Sequence, residues 1–238
     1  MRDLEWDGCV NVRDLGGLPT MDGRRLRRGA VVRSDHPSRL TASGWAALRD
    51  HGVRTIVSLQ TELTDPGSYS LANPPLRASL VAGLERRVIH LQDGDDAEFA
   101  TRWLGTGLTN TPVFFLDSFA RGPDRYAAAL RAVASAPDGG VVVHCAGGCD
   151  RTGSVVLLLL ALLGVQPEAL AADYLRSRDR VRATDPDYIE TADRALADAG
   201  LDPGVFLAEL LDGLDADAVV RSGGLTDLEI DALRDRLL

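Results

Sequence analysis

The segment that decides the fold spans residues 141–163 and reads VVVHCAGGCDRTGSVVLLLLALL. It opens with β-branched apolar residues, which predict a buried strand over Val141 to His144. It ends in an apolar stretch that predicts a buried helix over Thr152 to Leu163, and Gly164 ends that helix. The loop between them is rich in small residues, so the chain passes directly from a buried strand into a buried helix.

Elements on either side of this segment follow from apolar patterning and from turn residues. Strands are predicted over residues 30–33, 55–59 and 87–91. Helices are predicted over residues 42–50, with Thr41 as N-cap, then 111–136 with a break at Gly122-Pro123, 167–178, 185–199, 203–211 and 226–238. Strands interspersed with helices, followed by a helical C-terminal half, predict an α/β fold. No repeat or linker divides the chain, and we expect a single domain over residues 1–238.

Composition and charge exclude several classes of protein. The 238 residues are 45% apolar and 26% charged, which is typical of a soluble domain with a sizeable core. The net charge of −9 disfavours binding to nucleic acid or anionic membranes. The longest apolar run, Val155 to Leu163, is far shorter than the roughly 20 residues that cross a bilayer. Acidic residues at the N-terminus do not resemble a signal peptide, so we expect a cytoplasmic protein, with secretion independent of a signal peptide left open.

Cysteine and histidine usage predicts a reduced, metal-free protein. Three cysteines, Cys9, Cys145 and Cys149, are too few and too odd in number for a disulfide framework. A reducing compartment suits them better. No group of Cys, His and Asp residues has the spacing of metal ligands, so we expect no metal and no cofactor.

All 26 basic residues of the chain are arginines, and several of them cluster near the N-terminus. The cluster consists of Arg24, Arg25, Arg27, Arg28 and Arg33. Such a stretch is most often a solvated hairpin, and this is our expectation. The alternative is that it lines the approach to a phosphorylated substrate, because arginine binds phosphate in a bidentate manner.

The loop over residues 144–153 carries the chemistry. Its small residues allow backbone N–H groups to turn inward as a nest, and the following helix N-terminus adds further free N–H groups. Both features favour a bound anion. Cys145 lies in the same positive field, which favours its thiolate at neutral pH. Arg151, six residues on, has a planar guanidinium that suits two phosphate oxygens.

Other residues of the loop have supporting or open roles. The hydroxyl of Thr152 is expected to donate to the sulfur of Cys145, and His144 is expected to orient the loop through backbone contacts. Asp150 orients Arg151 or water, or caps the helix, and we favour capping. Cys149 is either an inert small residue or a disulfide partner of Cys145, and we expect it to be an inert small residue.

The loop resembles the active-site signature of the cysteine-based protein tyrosine and dual-specificity phosphatases. More narrowly, the chain resembles a bacterial tyrosine phosphatase group that includes a secreted mycobacterial member. The matching segments outside the loop are residues 11–17, Arg33-Ser34, Leu40-Thr41, Asp173-Tyr174-Leu175 and Ser177. The resemblance implies a central, mostly parallel sheet flanked by helices, and a supporting role for residues 11–14 at the active site.

The resemblance also assigns roles within the loop. It implies Cys145 as the nucleophile and Arg151 as the phosphate clamp. The phosphate-binding residues are then Ala146, Gly147, Gly148, Cys149, Asp150 and Arg151. The group usually has Lys where this chain has Cys149, and Asp-Leu-Arg where it has Ser58-Leu59-Gln60. The missing lysine weakens the case for phosphoinositide substrates and removes one positive charge from the pocket.

A phosphatase of this kind also needs a proton donor for the leaving oxygen. Asp93 is our choice, because it follows the strand predicted over residues 87–91 and Leu91-Gln92-Asp93 resembles the acid loop of the group. Asp95 and Asp96 remain alternatives, and all three also fit an acidic loop that is merely solvated.

These features predict a metal-independent protein phosphatase that hydrolyses phosphotyrosine, with dual specificity left open, through a phosphocysteine intermediate. Its partner is then a phosphorylated protein, and its oligomeric state stays open. The alternatives are a phosphoinositide phosphatase, a non-catalytic phosphate-binding or redox-sensing module, and a sulfurtransferase with a persulfide on Cys145.

Overall fold

The structure, a computed structural model, describes residues 2–59, 76–91, 98, 101, 103 and 106–238. A sheet of mostly parallel strands lies at its centre. The strands are β1 (Arg13–Asp14), β2 (Val31–Ser34), β3 (Val53–Ser58), β4 (Glu85–Val88) and β5 (Gly140–His144). Their order is β1-β2-β5-β3-β4, and β1 alone of these runs antiparallel to its neighbour. The predicted central, mostly parallel sheet is therefore confirmed.

The central strand β5 is apolar because both of its faces are covered. All five of its residues are buried. Val141 and Val143 belong to the large core on one face, whereas Val142 belongs to a smaller core on the other. Alternate side chains of a strand point to opposite faces, and a parallel strand covered on both sides therefore needs a continuous apolar run.

Helices cover both faces of the sheet. Their bounds are α1 (Ala42–Asp50), α2 (Val113–Arg121), α3 (Pro123–Ala134), α4 (Asp150–Leu162), α5 (Pro167–Arg182), α6 (Pro186–Asp198), α7 (Pro203–Gly213), α8 (Ala216–Ser222) and α9 (Asp227–Leu237). Trp45 and Leu48 of α1 pack in the smaller core, and most of the other helices build the larger one. The predicted helical C-terminal half is confirmed, since β5 is the one strand described after residue 106.

Two predicted boundaries were wrong, and one helix was not predicted. The strand expected over residues 87–91 is Glu85–Val88, because pairing with β3 fixes its position and its polar edge residues hide it from an apolar pattern. Helix α5 continues four residues beyond Arg178 to Arg182. Helix α8 was missed altogether, although the side chain of Asp215 caps it by accepting from the N–H of Ala218 at 2.9 Å.

The parallel strands bring three chain segments to one edge of the sheet. Ser34 of β2 and Ser58 of β3 both pair in register with His144 of β5. All three strands therefore end together, and the loop that starts at Cys145 leaves from this edge. Ligands of open α/β sheets bind at the carboxyl ends of the strands, which makes this edge the place to look for a site.

Candidate active site

The loop after β5 holds Cys145 in a buried position shortly before a helix N-terminus. Cys145 is 3% exposed, and α4 begins five residues later at Asp150. Gly148 turns the chain with φ +67°, and a Cβ atom there would lie 2.5 Å from the carbonyl oxygen of Ser34. Glycine is thus required at this point for both conformation and space.

The carbonyl groups of the loop face away from its centre, because each is held from outside. The donors to four consecutive carbonyls are His144 Nδ1 to Cys145 at 3.0 Å, the backbone N–H of His36 to Ala146 at 3.0 Å, Asn11 Nδ2 to Gly147 at 2.9 Å, and Arg33 Nη2 to Gly148 at 2.7 Å. In a trans peptide the C=O and N–H bonds point in opposite directions. The N–H groups of residues 146–149 therefore point away from these four donors.

The inward-facing groups are free to bind a ligand. The backbone N–H groups of residues 146–152 donate no hydrogen bond to any residue that the structure describes. The guanidinium of Arg151 likewise makes no hydrogen bond or ion pair within the described ranges. A row of free amides at a helix N-terminus, together with an unpaired guanidinium, is an arrangement that favours a bound oxyanion.

Two histidines stack behind the loop, and the sequence analysis placed only one of them there. His36 and His144 meet edge to face with ring centroids 4.9 Å apart. Burial lowers the pKa of His144 to about 4. Burial and then the charge of His144 lower the pKa of His36 to about 3. Both rings are therefore neutral at pH 7. The His144 ring holds the carbonyl of Cys145, and the His36 ring packs against it.

Asp150 does not cap helix α4, contrary to our expectation. It is the first residue of the helix, and the N-cap position belongs to Cys149, which makes no side-chain capping bond. The Asp150 carboxylate instead accepts hydrogen bonds from Tyr188 at 2.6 Å and Tyr174 at 3.4 Å. Burial raises the pKa of Asp150, although the bond from Tyr188 and the charge of Arg178 act against it. The two tyrosines thus turn this carboxylate toward α5 and α6.

The two thiols of the loop, Cys145 and Cys149, and the hydroxyl of Thr152 are buried, and neither thiol is oxidised. Cys9, Cys145 and Cys149 are all free thiols, so the alternative of a Cys145–Cys149 disulfide is not the state seen here. Burial raises the pKa of Cys149, which makes it an unreactive thiol. The Thr152 hydroxyl, expected to donate to the sulfur, is buried without a partner among the described residues.

A buried ion cluster lies behind the loop. Asp173 of α5 binds Arg33 at 2.5 Å, Arg13 at 3.2 Å and Arg2 at 2.9 Å. Burial acts to raise the pKa of Asp173, but the charges of Arg33 and Arg13 outweigh it and lower the pKa overall. Burial and the charge of Arg33 lower the pKa of Arg13 to about 10. Asn11 joins the cluster, because its Oδ1 accepts from Arg13 at 2.6 Å.

This cluster corrects the expectation for the N-terminal arginines. Arg24, Arg25, Arg27 and Arg28 are exposed, as a solvated hairpin requires, but Arg33 is only 1% exposed. It lies in β2, with its guanidinium between Asp173 and the loop. Charge spacing alone cannot separate it from its neighbours. The Asp173-Tyr174-Leu175 and Ser177 segment was the available signal, because Asp173 is the carboxylate partner of Arg33 and Ser177 accepts a hydrogen bond from Arg13.

Comparison with known proteins identifies the family. The family model described as the tyrosine phosphatase family matches residues 4–238, nearly the whole chain. The chain belongs to the tyrosine phosphatase family. This membership confirms the predicted enzyme class, protein-tyrosine phosphatase, and with it the prediction that phosphorylated molecules are its substrates.

Two curated proteins illustrate how this phosphatase relates to others. A Cupriavidus necator protein that carries the name of a candidate tyrosine-protein phosphatase is 31% identical over 208 residues, covering 86% of this chain and 72% of that protein. The triple specificity protein phosphatase PtpB of Mycobacterium tuberculosis is 29% identical over 199 residues, covering 74% and 70%. A crystal structure of P. aeruginosa TpbA in complex with pTyr matches with a TM-score of 0.39 and 17% identity, covering 84% of this chain and 91% of that one.

Some predicted features of the phosphatase lie elsewhere in the chain. Asp93, Asp95 and Asp96, the candidates for the proton donor, fall outside the residues that the structure describes.

Within the described ranges, no group of His, Cys, Asp and Glu residues is arranged to hold a metal ion. No helix in those ranges has both the length and the apolar character needed to cross a membrane.

Proposed function

We propose that this tyrosine phosphatase uses Cys145 as its nucleophile and Arg151, with the backbone amides of residues 146–152, as its phosphate site. The observation that carries the proposal is the set of free inward-facing amides around a buried thiol at the start of α4. Ala146, Gly147, Gly148, Cys149 and Asp150 contribute their backbone N–H groups. His144 and Thr152 have supporting roles on either side.

The reaction proceeds in two steps at one phosphorus atom. The thiolate of Cys145 attacks in line, a sulfur–phosphorus bond forms, and the bond to the tyrosine oxygen breaks. Water then displaces the sulfur and releases inorganic phosphate. The amides and Arg151 stabilise the charge on the three equatorial oxygens in both transition states, because they are fixed in place before the reaction begins. No metal or cofactor takes part in either step.

Asp93 is the proposed proton donor to the leaving oxygen and then the base for the attacking water. Strand β4 supports this assignment, because it runs parallel to β3 and the N–H of Ile89 donates to Ser58 at the active-site edge at 2.8 Å. The described chain continues to Leu91, which is buried in the large core. Asp93 follows two residues later, and Asp95 and Asp96 remain its alternatives.

The proposed partner is a phosphorylated protein, with phosphotyrosine as the leading substrate. Dual specificity stays open, since one relative is named for triple specificity. Cys149 places no cation in the pocket, which argues against highly charged phosphoinositides. The three free thiols suit a reducing compartment, and the cytoplasm is the proposed location.

The first experiment tests the nucleophile. Hydrolysis of p-nitrophenyl phosphate is measured in EDTA for the wild type and for Cys145→Ser, with Cys9→Ser as the matched thiol control. We expect kcat to fall about a thousandfold or more in Cys145→Ser and to be unchanged in Cys9→Ser. Equal rates for Cys145→Ser and the wild type would remove the nucleophile assignment.

The second experiment tests the acid through the leaving group. Asp93→Asn is expected to lower kcat for phosphotyrosine peptides by about 10²–10⁴, and to affect p-nitrophenyl phosphate less, because nitrophenolate leaves without a proton. Asp95→Asn is the control. If Asp95→Asn shows the leaving-group dependence and Asp93→Asn does not, Asp93 is the wrong assignment.

A further inference from the structure

The phosphate loop depends on groups outside it for the direction of its amides. Gly147 and Gly148 lack a Cβ atom, so their peptide groups rotate more easily than those of other residues. A rotated peptide turns a carbonyl oxygen toward the anion site, where it repels the bound anion. Something must therefore hold these two carbonyls outward, and the structure shows Asn11 and Arg33 bonded to them.

We propose that Arg33, fixed by Asp173, and Asn11 are positioning residues that set the anion-binding direction of the Gly147 and Gly148 peptides. This inference rests on the proposed function of the loop as a phosphate site. Neither residue touches the substrate. They act on the peptide groups that do.

The geometry of Arg33 ties the loop to a distant helix. Its Nη1 lies 2.5 Å from Asp173 Oδ2, and its Nη2 donates to the carbonyl of Gly148 at 2.7 Å. The planar guanidinium thus spans a rigid path from α5 to the loop. Because Arg33 and Asp173 are each 1% exposed, water does not compete for these bonds.

Arg33 also supplies positive charge that the loop itself lacks. Among residues 145–153, Asp150 and the proposed thiolate of Cys145 are negative and Arg151 is positive, so the loop has no net positive charge of its own. Behind the loop, the single carboxylate of Asp173 is shared by Arg2, Arg13 and Arg33, so the cluster carries excess positive charge. A buried charge is weakly screened, and this excess favours a phosphate dianion at the loop.

Asn11 performs the same task with a neutral donor. Its Nδ2 holds the Gly147 carbonyl at 2.9 Å, and its Oδ1 accepts from Arg13 at 2.6 Å, which fixes the direction of the amide. The backbone N–H of Asn11 donates in turn to Asp35 at 3.1 Å. Asn11 is fully buried, and both polar atoms of its side chain are engaged in these bonds.

The test measures the affinity for inorganic phosphate by calorimetry in the Cys145→Ser background, where turnover does not interfere. Arg33→Lys keeps the charge but lacks the fork that reaches Asp173 and the Gly148 carbonyl together. Arg33→Met removes both charge and fork. We expect the phosphate Kd to rise about tenfold or more for Arg33→Lys and further for Arg33→Met. Arg176→Gln, at an exposed arginine on the same helix as Asp173, is expected to keep the parent Kd.

Two further measurements keep the result decisive. Asn11→Ala leaves the pair of Arg33 and Asp173 in place, and is expected to raise the phosphate Kd about tenfold while far-ultraviolet circular dichroism stays unchanged. Restored to Cys145, Arg33→Lys and Asn11→Ala should lose kcat/KM in proportion to their loss of phosphate affinity, which a merely structural role does not require.

Each outcome has a clear meaning. If Arg33→Lys folds and binds phosphate as tightly as its parent, the proposal is wrong. If the Arg33 variants do not fold, Asn11→Ala decides, and an unchanged Kd overturns the proposal. If wild-type protein fails to hydrolyse p-nitrophenyl phosphate while the phosphate affinities separate as expected, the proposed function fails and the positioning role stands.

Discussion

Gly148 shows how much of the site depends on one residue. Its positive φ is one that side chains rarely adopt, and a Cβ atom would collide with the backbone of Ser34 rather than with a mobile side chain. Neighbouring Gly147 differs, because its φ is not positive and a Cβ atom there would lie 3.7 Å from Val181. Two adjacent glycines that look alike in the sequence thus have different structural demands.

This difference predicts a matched pair of substitutions. Gly148→Ala should lower the free energy of unfolding by about 2 kcal/mol or more, because backbone strain adds to the collision with Ser34. Gly147→Ala should change it by less than about 1 kcal/mol. Urea denaturation of both variants measures this directly. Similar losses for the two would show that Gly148 is not held in the conformation described.

At the scale of elements, the site is built where β2, β3 and β5 end in register. The segment after β2 provides His36, whose backbone N–H holds Ala146 and whose ring packs on His144. The strand ends thus support the loop from below, while Asp173 and Tyr174 of α5 support it from the side. Each contact joins elements that are far apart in sequence.

The histidine pair at these strand ends predicts a loss of stability in acid. Both pKa values, about 3 and about 4, lie below the usual 6.5, so the unfolded chain binds protons first as the pH falls. The stability that the two neutral histidines contribute is therefore complete above pH 6.5 and is lost as the pH falls toward about 4 for His144 and about 3 for His36. The raised pKa of Asp150 acts in the opposite sense, since its protonation favours the folded state.

The measurement compares the free energy of unfolding at pH 7 with that at pH 5. One such histidine accounts for about 2 kcal/mol of lost stability at pH 5. His36→Asn keeps an acceptor for the N–H of Ser38 but does not titrate. Between pH 7 and pH 5 this variant should therefore lose about 2 kcal/mol less free energy of unfolding than the wild type. An identical pH dependence would contradict the burial of a neutral His36.

At the scale of the whole molecule, one core connects the two ends of the chain. The large cluster extends from Leu15 near the N-terminus to Leu237 in α9, and includes the loop residues Cys145 and Cys149. The N–H of Arg27 donates to the carbonyl of Leu237 at 2.7 Å. We therefore expect the C-terminal helices to unfold together with the active site, as a single domain over residues 1–238.

Two leucines of α9 test that expectation. Leu233 is fully buried and Leu228 is 83% exposed. Leu233→Ala should lower the free energy of unfolding by about 2–5 kcal/mol, whereas Leu228→Ala should change it by at most about 0.5 kcal/mol. In Leu233→Ala, far-ultraviolet circular dichroism and phosphatase activity should be lost at the same urea concentration. Separate transitions for the two signals would show that the C-terminal helices form an independent unit.

The amino-acid sequence by itself determined the central strand, the loop after it and the following helix. Periodicity, small residues and apolar runs are local properties, and the segment over residues 141–163 carries all of them. The same locality explains why the sequence could propose Cys145 and Arg151 together, since they lie in one short loop. It also explains why the β4 boundary was misplaced, because pairing with β3 rather than its own apolarity defines that strand.

Only the tertiary structure decided what surrounds the loop. The buried position of Arg33, the stacking of His36 on His144 and the bonds from Tyr188 and Tyr174 to Asp150 join residues up to 140 positions apart. No local pattern distinguishes a buried arginine from a solvated one, because burial depends on which carboxylate the fold brings to it. The charge around the loop and the direction of its amides are therefore set by chain packing, whereas the proposed nucleophile and anion-binding groups lie within ten consecutive residues.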